Sequence, residues 1–414
     1  MKQPKTWQGS SATRRNSALF LFFFLGMLTA FGPFVTDMYL PSLPAMTQYF
    51  AAPVSTVQLG LTFSMLGLAT GQIIFGPLSD KYGRRTPLLG SMGLYLVATL
   101  GCIFAPNIYF FVALRLAQGI AAAGGIVISR SIATDKFKGK NLAKALAIVG
   151  AINGIAPVAA PVTGGLVLGI TGWRGVFVVL FILGLVLTGA CWHFKESLSR
   201  TKRSKEKLSK TFRLFKPLFN NRIFLCYSLQ MAFALGILFA YIAASPFIIQ
   251  QHYGYSPLAF SLFFAINAVA IGVGAGLSVR FASQQRCVQT SCAGMLLFGA
   301  ATAGALACGA GVWLFEGLLF CLLFSVGLSL TAATTLAMDS ARKQAGAASA
   351  LLGASGFLFG SIVSPLVGLG NMLCSTGITL VLCALGSALC AFWAVERTSQ
   401  KDGRQKELFK KLFS

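Results

Sequence analysis

The chain has 414 residues, of which 56% are hydrophobic and only 11% charged, with a mean hydropathy of +0.74. A water-soluble protein of that size has no core large enough to hide so much apolar surface, so lipid must be the solvent for much of it. The net charge of +24 would suit nucleic acid only if the basic residues gathered on one soluble face. They lie instead at 1–16, in alternate short loops, from Lys195 to Arg222 and after Val395.

Apolar runs of spanning length occur near 17–40, 55–75, 87–105, 108–128, 143–166, 173–192, 223–248, 257–279, 288–309, 312–335, 345–369 and 375–395. The first run is long enough to span and lacks a small-residue cleavage site, so it is expected to remain as a helix and not be removed as a signal peptide. Of the 34 Lys and Arg residues, all but Arg115 and Arg174 fall at or beyond helix ends on one face, the positive-inside pattern. It predicts an all-α integral membrane protein with an even number of spans and both termini cytoplasmic.

The longest polar interruption divides the chain into a tail (1–16), a six-helix bundle (17–192), a basic linker (193–222), a second six-helix bundle (223–395) and a basic tail (396–414). The linker is expected to be solvated, its charge setting orientation. An internal repeat supports the division. Gly76-Pro77-Leu78-Ser79-Asp80 after the second span has a degraded counterpart, Gly276-Leu277-Ser278-Val279-Arg280, after the eighth, and Asp135 and Asp339 each close a span ahead of basic residues. Duplicated halves place a substrate site between them near mid-membrane.

Gly76-Pro77-Leu78-Ser79-Asp80-Lys81-Tyr82-Gly83-Arg84-Arg85-Thr86-Pro87 lies in the short loop after the second span. Its basic residues suit a positive-inside loop. Gly76 offers close helix approach, Asp80 can accept from a neighbouring helix N-terminus and Gly83 permits a turn. The string resembles the signature of the major facilitator superfamily.

Within the fifth span, Gly150, Gly154, Pro157, Pro161 and Gly165 give small residues for packing and two helix bends. This run resembles the antiporter motif of exporters in that superfamily. Gly32-Pro33-Phe34-Val35-Thr36-Asp37-Met38-Tyr39-Leu40-Pro41 ends the first span, Arg115-Leu116-Ala117-Gln118-Gly119 lies in the fourth, and Phe239-Ala240-Tyr241 with Ser245-Pro246 in the seventh. With these the chain resembles the bicyclomycin and chloramphenicol resistance (Bcr/CflA) family of drug/proton antiporters. Gly172-Trp173-Arg174 also recurs in that family, though an aromatic-belt anchor explains it equally well.

Of ten acidic residues, Asp80, Asp135, Glu196, Asp339 and those in the linker and tail belong to loops or ends. Glu316 near Trp313 reads as an interfacial carboxylate without a special role. Asp37 precedes Pro41 by one turn, roughly 6 Å of depth, and Arg115 lies about 10 Å in. Ionisable groups at that depth cost a few kcal/mol unless they face a cavity or a partner. The resemblance implies that the first and fourth spans line one cavity, making Asp37 the proton carrier with Arg115 beside it. The alternative is a structural Asp37 that caps the helix end or pairs with Arg115 without cycling. No second acid precedes Asp37 in the first span, which disfavours strongly cationic substrates.

The pocket is expected to be apolar and aromatic, with Tyr39, Gln118, Asn153, Tyr241 and Asn267 as polar members, while Phe20, Phe22, Phe23 and Phe24 face lipid. The ten cysteines and two histidines, His193 and His252, show no metal or disulfide spacing. No phosphate-loop string and no catalytic constellation is present, so neither a cofactor, ATP coupling nor enzyme activity is expected. The expectation is a monomeric multi-pass protein of a bacterial inner membrane that exports drug-like molecules for protons by alternating access. Each charge crossing 100 mV supplies about 2.3 kcal/mol. An exporter of an endogenous metabolite, or a membrane sensor on the same fold, is the alternative.

Overall fold

The computed structural model describes residues 17–204 and 215–412, with the side chains of Asn153, of residues 396–412 and of a few others left out. Twelve long helices emerge: α1 (Ala18–Asp37), α2 (Val54–Tyr82), α3 (Arg85–Ile103), α4 (Ile108–Lys136), α5 (139–171), α6 (173–193), α7 (Arg222–Phe247), α8 (Pro257–Leu277), α9 (Gln284–Ala307), α10 (Val312–Ser340), α11 (Ala345–Val363) and α12 (Met372–Leu412). Eleven continuous stretches are long and apolar enough to span a membrane. The twelfth span arises because Gly172, at φ 71° and ψ −175°, breaks the stretch Gly139–His193 into α5 and α6. A side chain is disfavoured at that φ, so glycine makes the break.

An even number of crossings puts the loops bearing Lys81, Arg84 and Arg85, Lys136 and Lys138, Arg280 and Arg286, and Arg342 on one face. That face is termed basic and the opposite one far. In the first half α2 packs along α4, where Gly67 sits on the Leu116 carbonyl and Gly119 on that of Ser64. Backbones that close leave no volume for a β-carbon. The tight approach is therefore at Gly67, Gly71 and Gly119. A β-carbon at Gly76 would meet only Val127, at an ordinary 3.8 Å.

The two halves meet along α2–α11 and α5–α8. Three hydrogen bonds tie them together toward the far face: Gln58 Nε2 to the Ala243 carbonyl (3.1 Å), Gln250 Nε2 to Pro41 (3.0 Å) and Ser261 Oγ to Pro161 (2.7 Å). None of the hydrogen bonds found among the described residues joins α4 or the start of α5 to α10 or α11 near the basic face.

Two expectations change. The described start of the linker is not simply solvated, because Phe194 and Leu198 are buried and Ser204 N donates to the Asp80 carbonyl. Residues 205–214 lie outside the described residues. Of the four phenylalanines assigned to lipid, only Phe23 is largely exposed. Phe24 is buried against Phe194 and Phe20, and Phe22 stacks on Phe137, because this end of α1 packs on the linker and on the α4–α5 connection.

Candidate functional site

Asp37 closes α1 and is 6% exposed. Pro41, four residues on, stands in the following 3-10 turn, so the carboxyl ends a helix that cannot continue. It lines a cavity of about 250 Å³ between the halves. Thr36, Gly154 and Pro157 contribute from the first half, and Leu238, Phe239, Tyr241, Ile242, Phe264 and Ile271 from the second. Tyr241 stacks on Phe264 with ring centroids 5.4 Å apart. Among the described residues, Asp37 is the one acidic side chain in this lining.

Arg115 is fully buried and does not ion-pair with Asp37. Its Nη2 donates to the Val35 carbonyl (2.9 Å), its Nε to Gly60 (3.4 Å) and its Nη1 to Gln118 Oε1. Gln118 Nε2 in turn donates to Thr99 Oγ1 at 2.8 Å. The guanidinium lies over the Tyr39 ring, 4.2 Å from its centroid. Carbonyl dipoles, an amide and an aromatic face thus hold a cation where no carboxylate reaches it. Tyr39 and Gln118 belong to this cage and are absent from the cavity lining. Asn153 has its side chain outside the described residues.

Tyr241 lines the cavity, and Asn267 stands behind it. Asn267 Nδ2 donates to Tyr241 Oη (3.2 Å) and to Glu316 Oε2 (2.8 Å). Glu316 is 8% exposed, not interfacial as its neighbour Trp313 suggested; Trp313 itself is 74% exposed. Three positions apart on a helix is an offset of about 60°, so the two residues are neighbours on α10, with Glu316 turned inward onto Asn267 of α8 and Trp313 outward. The signal was legible, because Glu316 lies four residues inside α10, the same roughly 6 Å of depth that singled out Asp37.

The α2–α3 loop builds a charged cluster on the basic face. Gly83 adopts φ 92°, and a β-carbon there would collide with Glu196 and Arg203. Glu196 caps α3, accepting from Arg84 N (2.9 Å) and Arg85 N (3.2 Å) as well as from Ser197 N and Leu198 N. The helix N-terminus that Asp80 was expected to serve is thus met by Glu196. Asp80 instead pairs with Arg84, whose Nε also bonds Asp135 at 2.9 Å. Burial opposes the Arg84 charge, but Asp135 and Asp80 outweigh it and hold its pKa above the usual arginine value. Arg85 Nη2 donates to the Trp192 carbonyl at 2.7 Å.

In the α5 motif, tight packing falls at its end, at Gly164, where a β-carbon would collide with the Met38 carbonyl, and at Gly165, where it would stand 2.6 Å from Ser261 Oγ. Gly150 and Gly154 have nothing within 4 Å of that position, although Ile152 between them packs on Gly26 of α1. Pro161 supplies the carbonyl that Ser261 bonds across the halves.

A model of the Major Facilitator Superfamily matches residues 19–365. An "Uncharacterized MFS-type transporter YdgK" of Bacillus subtilis (strain 168) is 39% identical over 363 residues, covering 85% of this chain and 89% of that one. A "Bicyclomycin resistance protein homolog" of Haemophilus influenzae is 26% identical over 398 residues, covering 92% and 97%. A crystal structure of a bacterial homolog of the human lysosomal transporter Spinster superimposes with a TM-score of 0.74 at 18% identity, covering 94% of this chain and 99% of that one. Fold, cavity and family model agree: the chain is a transporter of the major facilitator superfamily.

Proposed function

We propose that the protein exports small, largely apolar organic molecules in exchange for protons, by alternating access of the central cavity. The observation that carries this reading is Asp37, an ionisable group in a wall otherwise dominated by aromatic and aliphatic side chains. Such a wall suits drug-like compounds, which are held by apolar area and oriented by a few polar groups. A carboxyl opened to one side and then the other binds a proton on the far side and yields it on the basic side. Substrate entering from the basic side competes for the same cavity.

The positive-inside rule supports a cytoplasmic basic face, and the bacterial relatives support a bacterial inner membrane as its setting. Hydrogen bonds sealing the far face then correspond to a state closed to the outside. The resistance name carried by the Haemophilus relative supports drugs as the substrate class. The test is drug-dependent proton movement in proteoliposomes under an imposed pH gradient, with chloramphenicol and bicyclomycin as probes. Wild type is expected to exchange and Asp37→Asn to lose exchange while keeping its fold. Undiminished exchange in that variant would remove Asp37 as the carrier.

A further inference from the structure

Among the described residues two acidic side chains are buried, Asp37 and Glu316, and the exchange cycle above uses only the first. We propose that Glu316 is a second proton-binding site, placed in the half opposite Asp37, so that one cycle exchanges two protons for one neutral molecule. This deepens, and rests on, the export reading.

Glu316 is enclosed by helices that offer it no cation. α8 contains no ionisable residue and neither do the last two turns of α9. From α7 comes Tyr241, and just beyond α7 stands Tyr253, the two titratable groups that interact electrostatically with the carboxyl. Among the described residues no Lys or Arg forms an ion pair with it. Its one hydrogen bond comes from Asn267 Nδ2, and its Oε1 has no partner.

Asn267 Oδ1 is likewise buried without a donor. On the joined side chains of Glu316 and Asn267, two buried oxygens thus accept from no donor found among the described residues. A proton bound at Oε1 turns that oxygen from an acceptor into a donor and removes the buried charge. Buried acceptors left unpaired are costly, so this site is built to be filled and emptied. Loading forms the O–H bond at Oε1; release breaks it, passes the proton to water and restores the carboxylate.

The site adjoins the central cavity, since Asn267 Nδ2 also donates to the hydroxyl of Tyr241, which lines the same cavity as Asp37. The second acid missing from the first span is thus supplied by α10.

The full chain in proteoliposomes decides the matter, with radiolabelled chloramphenicol as a neutral probe. With the membrane potential clamped at zero and a pH gradient of about one unit, two protons per neutral molecule support about 100-fold accumulation at equilibrium and one proton about tenfold. Wild type is expected near the higher value and Glu316→Gln near the lower, because the glutamine amide supplies the donor permanently and holds the site in its loaded form. Equal accumulation in the two proteins overturns the proposal. Infrared difference spectra across a pH step need no drug. Asp37→Asn and Glu316→Gln are each expected to delete one carbonyl band of a protonated carboxyl, and a spectrum unaltered by Glu316→Gln overturns the proposal independently. A wild type that moves no protons with chloramphenicol contradicts the export reading, and the infrared result then judges Glu316 by itself.

Discussion

Arg115 and Asp37 flank the end of α1 without touching: the guanidinium takes the Val35 carbonyl, two residues before the carboxyl, and leaves the carboxyl facing the cavity. The arginine thereby fixes the backbone that presents Asp37, and its charge acts on the carboxyl from a distance.

Removing Arg115 should therefore damage the fold as well as transport. Arg115→Ala strands the acceptors of Val35 and Gln118, each costing about 1–3 kcal/mol when buried and unpaired. Arg115→Lys is expected to rescue little, because one ammonium cannot reproduce a planar fork. Thermal unfolding in detergent, followed by size-exclusion chromatography, reads both; a wild-type melting temperature in Arg115→Ala would contradict the cage.

Gly119 lies against the Ser64 carbonyl of α2. Gly119→Val is expected to separate α2 from α4 and cost about 1–3 kcal/mol or more. Gly150→Ala, which meets nothing within 4 Å, should leave the melting temperature close to that of wild type.

Glu196→Gln weakens two backbone hydrogen bonds at the start of α3 and two in the segment after α6, and should lower stability by about 1 kcal/mol. Asp135→Asn removes the charge that Arg84 Nε and Ser197 Oγ both contact, and should slow exchange. Transport rates in proteoliposomes at fixed gradient check the second effect, and chemical unfolding the first.

Because the Arg84 pKa is held above its ordinary value, the stability it contributes is complete below the usual arginine range and is lost only as pH rises through the raised value. Arg84 should thus add no pH dependence near neutrality. Arg84→Gln is expected to lower transport by the same factor at pH 6 and pH 8; a factor that changes between them would count against this.

Each far-face hydrogen bond is worth about 0.5–1.5 kcal/mol, or roughly two- to tenfold in a two-state population. Gln250→Ala and Ser261→Ala should each shift the protein by about that factor toward a far-open state. Solvent accessibility of the Asp37 side of the cavity from the far face, measured by cysteine labelling at Thr36 in a cysteine-free background, reports the shift.

The primary structure alone determined the twelve spans, their orientation pattern, the two halves and the depth of Asp37, because a bilayer converts composition along the chain directly into geometry. Composition separates the fifth and sixth spans, but only the structure shows that Gly172, at φ 71°, makes the break between them. What only the tertiary structure decided is which groups meet. Arg115 finds Val35 and Gly60, Glu196 finds the start of α3, and Glu316 finds Asn267. Those partners lie tens of residues or more apart on different helices, and helix rotation about the membrane normal, set by glycine-backed packing such as Gly119 on Ser64, chooses which side chains face a cavity and which face each other.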